Sequence, residues 1–232
     1  MSALAVRPIR PEERQRFDEE LDEHHWLGNR LVGETMRYVA LDGDGEWLAV
    51  LGFGAAALAC KPRDAFIGWN DDQHFRRLRY VTNNQRFCVL PAGRHQNLAS
   101  NVLAKTLRRL SVDFENRWGH PVLVVETFVD PKRHHGTCYR AGGFRVLGET
   151  LGYGRSAGRY HHHGNVKLSF ARLLRKDALR ILTATFDHPA LDRQRRPVLD
   201  RGRAIPRCSG HVGLRHAVVH PCPASYLAAP SR

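Results

Sequence analysis

At 232 residues, with 42% hydrophobic and 25% charged side chains, the chain can bury one good core and is not composed like a disordered protein. No run approaches the roughly 18 apolar residues of a membrane helix, and the opening MSALAVRPIRPEERQRFDEE turns charged too early for a secretory leader; a cytoplasmic protein that does not engage a membrane is expected. The net charge of +13 is unevenly placed, because residues 1–131 hold 17 Lys and Arg against 18 Asp and Glu, whereas residues 132–232 hold 19 against 5. That split predicts a neutral globular part and a cationic part that attracts polyanions, chiefly nucleic acid. The five cysteines are odd in number, widely spaced and never C-x-x-C, which suits a reducing compartment and argues against a disulfide frame or zinc ribbon.

In chain order, Arg10–Leu27 reads as a helix with Pro11 near its start, acids in its first turn and Phe17, Leu21 and Trp26 on one broad face. Met36–Leu41 and Trp47–Phe53 flank Asp42-Gly43-Asp44-Gly45, a hairpin signal because Asp-Gly tolerates positive φ. Ala55–Cys60 is a short helix or bend ended by Lys61-Pro62-Arg63-Asp64, Phe66–Trp69 a short strand or turn, and Asp71–Leu78 a helix start. Arg86–Leu90 is a buried strand closed by Pro91. Leu98–Trp118 is the clearest helix, with Leu98, Val102, Leu103, Leu107, Leu110 and Phe114 at helical spacing. Val122–Val129 is a buried strand, Pro131–His135 a basic turn, Gly136–Ala141 a short helix and Phe144–Leu147 a strand. Leu168–Thr183 reads as an amphipathic helix, and the Pro/Arg-rich remainder as unpatterned.

The segment VLVVETFVDPKRHHGTCYRAGGF (Val122–Phe144) runs from a strand through a turn into a helix bearing Tyr139, then Gly143-Phe144. It resembles the last segment of the acetyl-CoA-dependent N-acetyltransferase superfamily, in which a Tyr four residues before Gly-Phe serves as general acid. Upstream, RFCVLPAGRHQNLASNVL lies where that superfamily has strand, phosphate loop and helix. The resemblance therefore places Arg94, Asn97 and Ser100 at a pyrophosphate-binding helix start, although Asn97 and Ala99 stand where glycines would let backbone approach phosphate.

A second resemblance is carried by several words together: Arg63-Asp64, Ile67-Gly68-Trp69, Val81-Thr82-Asn83-Asn84-Gln85-Arg86-Phe87, Leu90-Pro91, Asn97-Leu98-Ala99-Ser100, Glu126-Thr127-Phe128-Val129-Asp130, Gly136-Thr137-Cys138-Tyr139 and Gly148-x-Thr150-x-Gly152-x-Gly154-Arg155. They are similar to the family typified by the DruA protein of the Druantia anti-phage system, over about Arg10 to Leu182. Members occur in defence loci and joined to or beside transposases. The resemblance implies a defence or mobile-element setting, with a transposase or defence helicase as partner, and no established reaction or cofactor.

Among the acids, Asp64, Glu126 and Asp130 are candidate catalytic residues beside Tyr139. They could gather Mg²⁺ for phosphodiester cleavage, or serve as turn caps and ion pairs. Glu126, inside an apolar strand, needs a partner, for which Arg86 on the neighbouring strand is a candidate. The run His161-His162-His163 is a poor metal cage, because consecutive residues point different ways; it reads as a basic loop. Lys132, Arg133, Arg155 and Arg159 form the candidate phosphate-contacting surface, with Tyr153 and Tyr160 for stacking.

The expected architecture is α/β: an N-acetyltransferase-like mixed central sheet flanked by helices over residues 1–185, its core spanning Met36–Thr150, with a basic, disordered tail over residues 186–232. The functional expectation is a DruA-like accessory protein that contacts nucleic acid; the alternatives are an acetyl-CoA-dependent N-acyltransferase and a metal-dependent nuclease.

Overall fold

The computed structural model describes residues 4–156, 159–162, 164–186 and 188–191, and the tail read from the sequence lies almost wholly outside them. Side chains between 153 and 161 are likewise outside the description. Nine strands are described: β1 (Ala5–Pro8), β2 (Met36–Leu41), β3 (Trp47–Ala55), β4 (Val81–Val89), β5 (Val124–Val129), β6 (Arg145–Glu149), β7 (Tyr153–Ser156), β8 (Arg159–His162) and β9 (Leu168–Leu173). The helices are α1 (Arg14–His24), α2 (Lys61–Ile67), α3 (Asp71–Arg77), α4 (Leu98–Trp118), α5 (Thr137–Ala141) and α6 (Ala178–Leu182).

Seven strands form one sheet in the order β1-β2-β3-β4-β5-β9-β6, with β7 and β8 as a separate hairpin. Every neighbouring pair is antiparallel except β4–β5, which is parallel and joined through α4. A parallel pair needs such a crossover, and the apolar stripe of α4 supplies the surface that packs it back on the sheet. The expected helix-flanked, mixed sheet of an N-acetyltransferase-like domain is the sheet found.

The core is three clusters on two faces. On one face, Val102, Leu103, Leu107 and Phe114 of α4 pack on Tyr38, Leu51, Phe53, Val125 and Phe170. On the other, Phe17 and Leu21 of α1 cover Val39 and Val50, while Ile67 of α2 and Ile181 of α6 cover Val124 and Ala171. Adjacent strand residues such as Tyr38 and Val39 therefore serve opposite clusters, as the two-residue strand period requires.

Three readings need correction. Lys61-Pro62-Arg63-Asp64 begins α2 rather than ending a helix: Pro62 lies in the first turn, where its missing N–H costs nothing. The first half of Leu168–Thr183 is the strand β9, and only Ala178–Leu182 is helical. Because β9 lies between β5 and β6, Phe170 faces one cluster and Ala171 the other, and burial on both faces removes the alternation that marks a strand. The Gly/Arg/Tyr-rich stretch read as a loop contains the β7–β8 hairpin, with Arg155 opposite Tyr160 and Ser156 opposite Arg159; His163 lies outside the described residues.

Candidate functional site in the splay of β4 and β5

The parallel pair holds register over three positions, Val81–Val124, Thr82–Val125 and Asn83–Glu126, after which β4 continues to Val89 and β5 to Val129 without pairing each other. Side chains bridge the opening. Asn84, buried, donates from Nδ2 to the carbonyls of Gly52 (3.1 Å) and Arg86 (2.9 Å). Its Oδ1 accepts from the Tyr139 hydroxyl at 2.7 Å, and its carbonyl accepts from Thr127 Oγ1 at 3.0 Å. A bulge makes this possible: Gly52 pairs with Arg86 and Phe53 with Asn84, leaving Gln85 as an extra residue in β4. Gln85 spends its amide on Val32 and Ala55.

From this bridge a cavity of about 510 Å³ runs to the first turn of α4, lined by Asn84, Phe87, Ala99, Thr127, His134 and Tyr139 among others. Tyr139 comes from α5, placed there by Gly136. That residue has φ +68, and a Cβ on it would stand 2.7 Å from Phe170 Cζ, so only glycine lets the helix start so close to β9. Burial pushes the Tyr139 hydroxyl well above the usual tyrosine range, so it stays protonated and can act as a proton donor but not as a base. Burial, with Arg86 and His134 nearby, lowers His25 in the same cavity wall to about 4 and keeps it neutral.

Arg94, Asn97 and Ser100 all sit at the start of α4. Asn97 takes φ +62, a left-handed conformation usually left to glycine, and no other non-glycine residue described has a positive φ. The absent glycines are thus answered in conformation by an asparagine, the side chain that tolerates this region best. Ser100 turns its hydroxyl inward to the Asn97 carbonyl at 3.0 Å, while Arg94 is exposed.

The acids divide. Glu126, fully buried, accepts from Arg63 Nη1 at 2.9 Å and from the Ala57 N–H at 2.6 Å. Arg63, equally buried, donates from Nε to Asp64 at 2.7 Å. Asp64 also accepts from Trp69 Nε1 at 3.0 Å and caps α2 through the Cys60 N–H at 3.2 Å. Asp64 and Glu126 are therefore brought together by one guanidinium, on the sheet face opposite α4. Arg86, the expected partner of Glu126, instead holds the carbonyls of Leu27, Gly28 and Gln85. Asp130 stands apart at the end of β5, accepting from the Lys132 N–H at 2.9 Å and lying 3.7 Å from Arg133 Nε. Among the described residues no three His, Cys, Asp or Glu side chains are grouped to hold a metal.

Lys132 and Arg133 lie where the splay opens, beside Trp26, Asp130 and Lys167. Arg155 and Arg159 are placed only by their backbone register in the hairpin. Sequence reasoning missed Asn84, Trp26, Lys167 and the role of Arg63. For Arg63 the signal was available, since a carboxylate in an apolar strand demands a cation. For Asn84 it was the Asn83-Asn84 pair inside a strand otherwise built for burial.

Among solved structures, a spermidine N-acetyltransferase from Vibrio cholerae in complex with CoA and spermine is similar, with 9% identity, a TM-score of 0.49, and 74% of this chain and 95% of that chain covered. A GCN5-related N-acetyltransferase from Kribbella flavida gives 16% identity, a TM-score of 0.44, and coverage of 74% and 98%. These are likenesses of fold. No curated protein matches the sequence. The family model described as Druantia protein DruA matches residues 3–178, an interval that takes in the sheet, the splay and its bridge. The chain belongs to the DruA family.

Proposed function

We propose that this DruA-family protein acts in the cytoplasm, in anti-phage defence or DNA mobility beside a helicase or transposase, and that its splay cavity takes an acyl-CoA for transfer to an amine. The observation that carries the reading is one cavity joining the first turn of α4, at Ala99, to the protonated hydroxyl of Tyr139. When bound, an acyl-CoA supplies a thioester carbonyl and leaves as a thiol. The residues fit the two ends of such a molecule: Asn97 opens the backbone at the start of α4, where unsatisfied N–H groups and Arg94 attract phosphate. The Tyr139 hydroxyl, which donates to Asn84 Oδ1 in the unliganded site, would turn that proton to the departing sulfur. Thr127 fixes the Asn84 backbone and so keeps that hydroxyl in place.

The nuclease alternative lacks such support: the guanidinium of Arg63 lies between Glu126 and Asp64, where a divalent cation would have to sit.

Calorimetric titration of acetyl-CoA into the full chain tests the reading. Saturable binding that Ala99→Trp abolishes and Tyr139→Phe preserves is expected. Absence of heat at millimolar concentration, or binding indifferent to Ala99→Trp, overturns it.

A further inference from the structure

Trp26 follows the end of α1, where a buried position would suit an indole, yet 48% of it is exposed. It lines a bowl of about 620 Å³ with Lys132, Arg133, Lys167, Asp130 and Asn165. The guanidinium carbon of Arg133 lies 4.5 Å from the indole centroid and Lys167 Nζ lies 5.9 Å away. Asp130 is the one acid in this wall, and its carboxylate is engaged by the Lys132 N–H and lies near Arg133 Nε. The bowl thus presents three cations against one partly neutralised anion, around an aromatic ring half open to solvent.

We propose that this bowl binds single-stranded nucleic acid, with backbone phosphates on Lys132, Arg133 and Lys167 and one base against Trp26. A concave cationic wall with an aromatic at its floor is the combination that grips an unpaired strand: the cations follow the phosphates, and the ring takes a base face. A duplex hides its base faces and can offer only phosphates. A bilayer surface is too flat to reach into a bowl. A segment that is basic in sequence starts from this wall. The Thr150 N–H donates to the Lys167 carbonyl at 2.8 Å and the Lys167 N–H to Thr150 Oγ1 at 3.0 Å, so Lys167 closes the base of the segment that carries the β7–β8 hairpin. Two of that hairpin's strand residues are Arg155 and Arg159, and two are Tyr153 and Tyr160. The bowl also shares Trp26, Asp130 and Lys167 with the splay cavity. The proposal needs neither Tyr139 nor the start of α4, and Lys132 and Arg133 line the bowl alone, so its failure and that of the acyl-CoA reading are separable.

The test is fluorescence anisotropy of a labelled twenty-nucleotide oligothymidylate with the full chain, across a salt series. Trp26→Ala is expected to weaken binding about tenfold through the lost stack, and Trp26→Phe to restore most of it. Replacing Lys132, Arg133 and Lys167 together by Ala is expected to flatten the log–log salt slope by about 2, at roughly 0.7 per phosphate. A matched duplex is expected to bind without any dependence on Trp26. The proposal is overturned if Trp26→Ala leaves affinity unchanged, which would place binding on the cationic C-terminal part alone. It is equally overturned if the triple variant keeps its slope, or if phosphatidylserine vesicles rather than the oligonucleotide show the Trp26 dependence.

Discussion

Replacing Arg63 by Met isolates the energetics of the buried pair beneath the sheet. Both Arg63 and Glu126 are fully buried, and their 2.9 Å contact joins α2 to β5 across 63 positions of sequence. Removing one partner of such a pair leaves an uncompensated charge and costs about 3–5 kcal/mol. Burial pushes the Glu126 carboxyl up, and the Arg63 guanidinium pulls it back; the net direction is upward. Methionine removes the restraint, so the folded-state pKa of Glu126 rises further. A carboxyl whose folded pKa lies above its unfolded value binds its proton more tightly when folded, so its stability contribution is greatest at low pH and falls as pH rises through the folded pKa. The Arg63→Met loss should therefore be larger at pH 8 than at pH 5, and adding Glu126→Gln should remove most of that difference, since glutamine keeps an oxygen for the Ala57 N–H. Urea unfolding of wild type, single and double variants at both pH values measures this. A loss independent of pH, or a double variant as unstable as the sum of its parts, refutes the reasoning.

Three further perturbations follow from single positions. Gly136→Ala adds a Cβ 2.7 Å from Phe170 at φ +68, and should cost about 2 kcal/mol or more of unfolding free energy, measured by urea titration, while displacing Tyr139. Asn97→Val forces a β-branched side chain into φ +62 and should cost about 1–2 kcal/mol, whereas Asn97→Gly should be near neutral by the same measurement. Arg77, buried, donates to the carbonyls of Leu182, Ala184 and Phe186. Arg77→Ala should cost about 2–4 kcal/mol and expose the segment after α6 to limited proteolysis; protection equal to wild type would show the carbonyls are held otherwise.

Legibility from the sequence tracked how local the determining interaction was. Helix α4 was readable to the residue, because its stripe and its terminal Gly119 (φ +77) are both local signals. The β2–β3 hairpin was readable for the same reason, its Gly45 taking φ +86 in the turn. Strand β9 was not, since its partners β5 and β6 lie far away in sequence and its two-sided burial mimics a helix segment. Strand β1 was missed because four residues at a sheet edge carry almost no pattern. At the site, Tyr139 and the start of α4 were legible as words; the Asn83-Asn84 pair marks a polar position in β4, but that Asn84 ties Tyr139 to the strand depends on a bulge that no local pattern announces.

The turn after β5 is where the two proposed binding modes meet. Asp130 holds it through its carboxylate on the Lys132 N–H and its carbonyl on the N–H groups of Arg133 and His134. Those bonds place Lys132 and Arg133 in the wall of the bowl, with Arg133 against Trp26, and send the chain on through His134 and His135 to Gly136 and Tyr139. The charge boundary in the sequence falls at Lys132, inside this turn. Asp130 holds this turn, as the turn-cap reading of the sequence has it, and its loss should disturb the bowl and the splay together. Arg133, which lines only the bowl, and Ala99, which lines only the splay cavity, should each disturb only one. If strand binding and acetyl-CoA binding respond to those two substitutions separately but fall together in Asp130→Ala, the turn is the shared support of two distinct sites.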